Sequence, residues 1–118
     1  MIDPLAKIRE AALELPETEE RLSHGQPTFF VAGKQFAQFR NNHHGDLKVV
    51  VCVRIGSLDE QAMLLDAAPD IYSKPAYLPS WISINLAGAD TDWDHVADRI
   101  AASWELAAPR SLLEAGGR

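Results

Sequence analysis

An α+β domain, one antiparallel sheet covered by helices mainly on one face, is what this sequence predicts, and three observations carry it. The stretch from Glu20 to Arg54 breaks into short apolar runs separated by Gly, Pro and Asn, the pattern of consecutive antiparallel strands. Trp93, Val96, Ala97, Ile100, Trp104 and Ala107 recur at spacings of three and four, the stripe of an amphipathic helix. The chain has 118 residues, 47% hydrophobic and 24% charged, enough for one buried core and no more. A single domain over 1–118 follows, in the order α-β-β-β-β-α-β-α.

Asp3 and Pro4 start the first helix, an Asx cap followed by a ring whose fixed φ suits the first turn. Leu5, Ile8, Ala12 and Leu15 give its apolar face, and Pro16 closes it. Arg21 to His24 reads as a first strand, Gly25-Gln26-Pro27 as a turn, Thr28 to Ala32 as a second strand, and Gly33-Lys34 as a tight hairpin turn. Gln35 to Asn41 forms the third strand and Asn41 to Asp46 a turn-rich loop. Leu47 to Val53 is the fourth, apolar on both faces and therefore interior.

Ser57 and Glu60 form a capping box for a second helix that runs to about Ala68, with Leu58, Ala62, Leu65 and Ala68 as its stripe. Asp70 to Ser80, with Tyr72, Pro75, Tyr77 and Pro79, is expected to be an irregular but fixed loop. Trp81 to Leu86 alternates as a half-buried strand, and Thr91 or Asp92 caps the last long helix, which ends at Pro109. Its tryptophans are core residues. Residues 110–118 are expected to fray.

The net charge is −6, so nucleic acid and anionic lipid should repel the chain at long range. That average conceals a segregation. From Arg21 to Arg54 five cations, Arg21, Lys34, Arg40, Lys48 and Arg54, face Asp46 alone, a balance of +4 that leaves −10 for the remainder. Met1 to Ile8 lacks the pattern of a signal peptide and no apolar run could span a bilayer, so a cytoplasmic protein without a membrane partner is expected. The single cysteine, Cys52, has no partner for a disulfide within the chain.

His24, His43, His44 and His95 are scattered, and neighbours on a strand point to opposite sides, which argues against a zinc site. No phosphate-cradling glycine loop, nucleophile elbow or paired acidic motif is present, so neither catalysis nor a cofactor is expected.

His24-Gly25-Gln26-Pro27-Thr28-Phe29, Gly33-Lys34-Gln35-Phe36-Ala37, Lys74-Pro75-Ala76-Tyr77-Leu78, Trp81-Ile82-Ser83 and Ala102-Ser103-Trp104-Glu105-Leu106 stand in the order and spacing of one family. In these motifs the chain resembles the MmcQ/YjbR-like proteins over nearly its whole length, with Trp104 where that pattern more often has Tyr. The resemblance implies a CyaY-like fold and a DNA-binding role through a double-wing arrangement of β-hairpins. It supplies no catalytic residues.

For double-stranded DNA, the candidate contacts are Lys34 at a hairpin tip, Arg40, Lys48 and Arg54 on adjoining strands, and Gln35, Gln38, Asn41 and Asn42 for polar groove contacts. Such binding would be weak and salt-dependent. An alternative is a module for small molecules or proteins in which His24, Tyr72, Tyr77 and Trp81 form an aromatic-walled pocket. A third reading is weak iron binding at Glu14, Glu17, Glu19 and Glu20.

Overall fold

The computed structural model describes residues 3–41, 49–75, 78–87 and 91–115. The elements run α1 (Pro4–Leu13), β1 (Thr18–Ser23), β2 (Gln26–Val31), β3 (Lys34–Asn41), β4 (Val49–Arg54), α2 (Leu58–Ala67), β5 (Tyr72–Ser73), β6 (Trp81–Asn85), α3 (Trp93–Ala107) and α4 (Arg110–Glu114). The expected order holds, with two additions. Tyr72 and Ser73 pair with Ile84 and Ser83 where a loop was expected, and Arg110–Glu114 is helical where a frayed tail was expected.

The six strands among the described residues form one antiparallel sheet in the order β1-β2-β3-β4-β6-β5. Both tight turns sit one residue earlier than the sequence suggested. His24 (φ 53) and Gly25 (φ 78) join β1 to β2, and Ala32 (φ 50) and Gly33 (φ 80) join β2 to β3. Two successive positive φ values are the signature of the two-residue type I′ turn, whose twist matches that of the flanking strands. Each glycine therefore occupies the second turn position, and the strands extend right up to it.

Alternation along each strand divides the side chains between two faces. Phe29, Val31, Phe39, Val51, Val53, Ile82 and Ile84 form one core with Ile8 and Ala12 of α1 and Val96, Ile100 and Trp104 of α3. Leu64 and Leu65 of α2 and Leu112 of α4 pack on that same cluster. The opposite face buries Val50, Cys52 and Trp81, with Leu78 against them. All the described helices thus lie on one side, as the sequence predicts.

A β-bulge sharpens this division. Phe29 pairs with Ala37 but Phe30 pairs with Gln35, so Phe36 is an extra residue in β3. Phe36 and Ala37 can then both be buried in the helix-side core, although neighbours in a regular strand would point apart.

The caps follow local chemistry. Asp3 Oδ1 accepts from the Leu5 amide at 3.1 Å, Ser57 Oγ from Glu60 at 3.1 Å, and Asp92 Oδ1 from His95 at 3.2 Å. Glu60 does not reciprocate to Ser57; its Oε1 accepts from the Gly56 amide, one residue earlier, at 2.9 Å. The stripe of α2 also differs from expectation, since Leu58 is 63% exposed and Ala62 faces solvent. Gln61 turns inward instead, donating to the carbonyls of Pro79 (3.0 Å) and Trp81 (2.8 Å). Those two bonds rotate the helix so that Leu64, Leu65 and Ala68 meet the core.

Candidate functional site

The helix-free face carries most of the residues that the charge pattern singled out. Register places Thr28, Gln38, Cys52, Ser83 and Ser73 in one row across it. Arg40 lies opposite Val50, and Arg54 opposite Trp81.

Gln38 and Arg40 do not present themselves as contacts. They are 5% and 7% exposed, and Gln38 is bonded on both sides. Its Nε2 donates to Thr28 Oγ1 at 3.1 Å, and its Oε1 accepts from Arg40 Nε at 2.8 Å. An interior cation is tolerated only when it is hydrogen-bonded, and here the neighbouring amide of Gln38 supplies that bond. Both residues are accordingly structural polar groups of the sheet, where Arg40 was expected to contact phosphate and Gln38 a groove.

Arg54 is half-buried and held in place. Its Nε donates to the Gln35 carbonyl at 2.8 Å, and its guanidinium carbon lies 5.0 Å from the centre of the Trp81 ring. Partial burial lowers its pKa, a group that stays charged at any physiological pH. Lys34 is exposed at the start of β3, immediately before Gln35, so these two cations lie at the same end of the sheet. Asn41 is exposed at the opposite end of β3, and Lys48 and Asn42 lie outside the described residues.

Arg21, counted in the charge balance but not among the candidate DNA contacts, also lies on this face. Its guanidinium carbon sits 4.3 Å from the centre of the Phe30 ring, and Glu19 approaches at 3.6 Å. The signal was available in the sequence: a two-residue turn at His24-Gly25 pairs Arg21 with Thr28 and so puts it on the face of Thr28 and Phe30.

The two hairpins share β2, so their tips point in opposite directions. They are separated by the length of six strand residues, roughly 20 Å. His24 and Gly25 lie at the end of the sheet where β3 finishes and β4 begins; Lys34 lies at the other. Lys34 and the His24-Gly25 turn therefore lie at opposite ends of the sheet.

The described members of the alternative pocket, His24, Tyr72 and Trp81, do not come together. His24 is exposed on the β1–β2 turn, and Tyr72 is on β5 at the far edge of the sheet. Tyr72 pairs with Ile84 and faces the helices, whereas Trp81 faces the other side. Tyr77 lies outside the described residues. The partner that Tyr72 does find is His95 of α3, whose Nε2 is hydrogen-bonded to the Tyr72 hydroxyl. Sequence spacing could not pair positions so far apart.

The acidic group near α1 is partly engaged. Arg9 holds Glu20 through both carboxylate oxygens, with contacts of 2.8–3.1 Å, and this hydrogen bonding raises the Arg9 pKa. Among the described residues, no group of three or more His, Cys, Asp and Glu is placed to hold a metal ion. No described helix is long and apolar enough to cross a membrane.

A protein-family model described as YjbR matches residues 13–106. The crystal structure of Deinococcus radiodurans protein DR2400, assigned to domain DUF419, is similar in fold, with a TM-score of 0.73 at 16% identity over 94% of this chain and 85% of that one. No curated protein matches.

Proposed function

The chain belongs to the YjbR family, and on that premise we propose that it is a non-catalytic module binding the phosphates of double-stranded DNA through the helix-free face of its sheet. One observation carries this reading: Arg21 and Arg54 share that face, each stacked on an aromatic ring, and exposed Lys34, opposite Val31 in register, stands at the hairpin tip at the same end of the sheet as Arg54. Stacking holds a guanidinium in place before any ligand arrives, so less side-chain entropy is lost when it meets a phosphate. The contact set is narrower than charge counting gave, namely Arg21, Lys34 and Arg54.

Three phosphate contacts give a log-log salt slope of roughly −3, and the −10 of the remaining chain opposes approach, so affinity is modest. The test is a fluorescence-anisotropy titration of a duplex across ionic strength with Arg21→Glu, Lys34→Glu as a double variant. Both positions are exposed, so the fold should survive. Loss of binding, and a slope shallower by about two, support the proposal. Binding and slope unchanged in the folded variant would remove it.

A further inference from the structure

On the other side of the sheet, the start of β5 and the end of β6 meet the first turn of α3. A cleft of about 440 Å³ opens there, within the range of roughly 300–1,000 Å³ in which small-molecule sites fall. Ile84 and Val96, 1% and 2% exposed, contribute apolar wall, and Ile71, 44% exposed, adds an apolar surface that water now meets. His95 forms another side, its ring fixed by the Tyr72 hydroxyl and by edge-to-face packing on Tyr72 at 74°. The charged groups lining the cleft are Asp70 and Asp92, and neither belongs to an ion pair among the described residues. Asp92 commits one oxygen to capping α3, and Asn85 contributes a polar side chain.

We propose that this cleft binds a small organic cation, an ammonium group carried on a short apolar body. The chemistry of the walls selects that class. Among the described residues an anion would meet two aspartates and no lysine or arginine lining the cleft, while a neutral apolar molecule would leave both carboxylates unused. An amine satisfies both, setting its ammonium against Asp70 and its apolar part against Ile71, Ile84 and Val96. The site is independent of the arginine face, because Ile84 and Val96 belong to the helix-side core.

The experiment is an NMR titration of the ¹⁵N-labelled chain with benzylamine, with benzyl alcohol and benzoate as matched probes. Benzylamine should give saturable shifts at the amides of Ile71, Asn85, His95 and Val96, with a dissociation constant on the order of 1 mM. Benzyl alcohol should bind about tenfold more weakly, benzoate should leave these amides unmoved, and Asp70→Asn should weaken benzylamine about tenfold. Asp70 is exposed, and the spectrum of the variant itself reports whether it is folded. No saturable shift with benzylamine, equal binding of the three probes, or an unchanged affinity in Asp70→Asn would each overturn the assignment.

Discussion

The hydroxyl of Ser103 on α3 donates to the carbonyl of Phe36 at 2.5 Å and accepts from the amide of Arg54 at 2.8 Å. These two backbone groups lie one step beyond the last β3–β4 pair, Ala37 with Val53, where the bulge at Phe36 interrupts the ladder. A helix side chain thereby satisfies the hydrogen-bonding groups that the bulge sets free, in a fully buried position. Ser103→Ala should destabilise the fold by about 1–3 kcal/mol, because two buried backbone groups lose their partner. A urea midpoint equal to that of the unmodified chain would show the bulge satisfied in some other way.

Trp104, the next residue, is fully buried and donates its indole Nε1–H to the Pro16 carbonyl at 3.0 Å, joining α3 to the segment between α1 and β1. Trp104→Phe keeps most of the volume and should cost chiefly the hydrogen bond and a small cavity, about 1–2 kcal/mol. Trp104→Ala should cost about 3–5 kcal/mol. Equal losses in the two variants, measured by chemical denaturation, would deny the packing a separate contribution.

Ala32 adopts φ 50 at the first position of a type I′ turn, a conformation that strains an L residue other than Asn, Asp or Gly. Ala32→Asn, which creates Asn-Gly, should therefore stabilise the protein by about 0.5–1 kcal/mol. At Gly33, φ 80, an added Cβ would meet nothing within 4 Å, so Gly33→Ala should lose about 1 kcal/mol from backbone strain alone. Thermal melts that move opposite to these signs would contradict the turn assignment.

Gln38 links Thr28 to Arg40 on the helix-free face. Gln38→Ala should cost about 1–3 kcal/mol, since it leaves the buried Arg40 Nε without the amide oxygen that now accepts from it. Gln38→Glu keeps that acceptor, adds a charge of opposite sign, and should recover part of the loss at neutral pH. If Gln38→Ala matched the unmodified chain in a urea titration, Arg40 would not depend on this bond.

Burial raises the pKa of the Tyr72 hydroxyl above its usual value of 10.0, with nearby Glu60 adding to the shift and Arg99 opposing it. The folded state then holds this proton more tightly than the unfolded chain, so stability falls as pH rises through the alkaline range. The contribution is fully present below about pH 10 and is lost as Tyr72 ionises. Comparing unfolding midpoints of Tyr72→Phe and the unmodified chain between neutral and alkaline pH should show a shallower alkaline decline in the variant. Parallel declines would place the cause elsewhere.

Several features were legible in the residues because local chemistry decides them. Asp3-Pro4, Ser57 and Asp92 cap their helices, Gly25 and Gly33 take the positive φ that a two-residue turn demands, and the three-four spacing through Trp104 is the face that meets the sheet. The motifs carrying the family resemblance have structural explanations too: Gly25 and Gly33 in turns, Ser103 at the bulge, Trp104 in the core.

What the sequence could not decide is which of two apolar strand faces receives the helices, and what happens to polar groups on the other. Alternation with a period of two divides Arg40 and Gln38 from Phe39, but burial of that polar row depends on what covers it. The bulge at Phe36, the inward turn of Gln61 and the meeting of Tyr72 with His95 likewise arise from strand register and helix docking, between residues 23 positions apart in the last case. Local sequence fixes dihedral preferences. Only the packed structure settles which buried donor meets which acceptor, because that requirement is imposed by the exclusion of water from the assembled core.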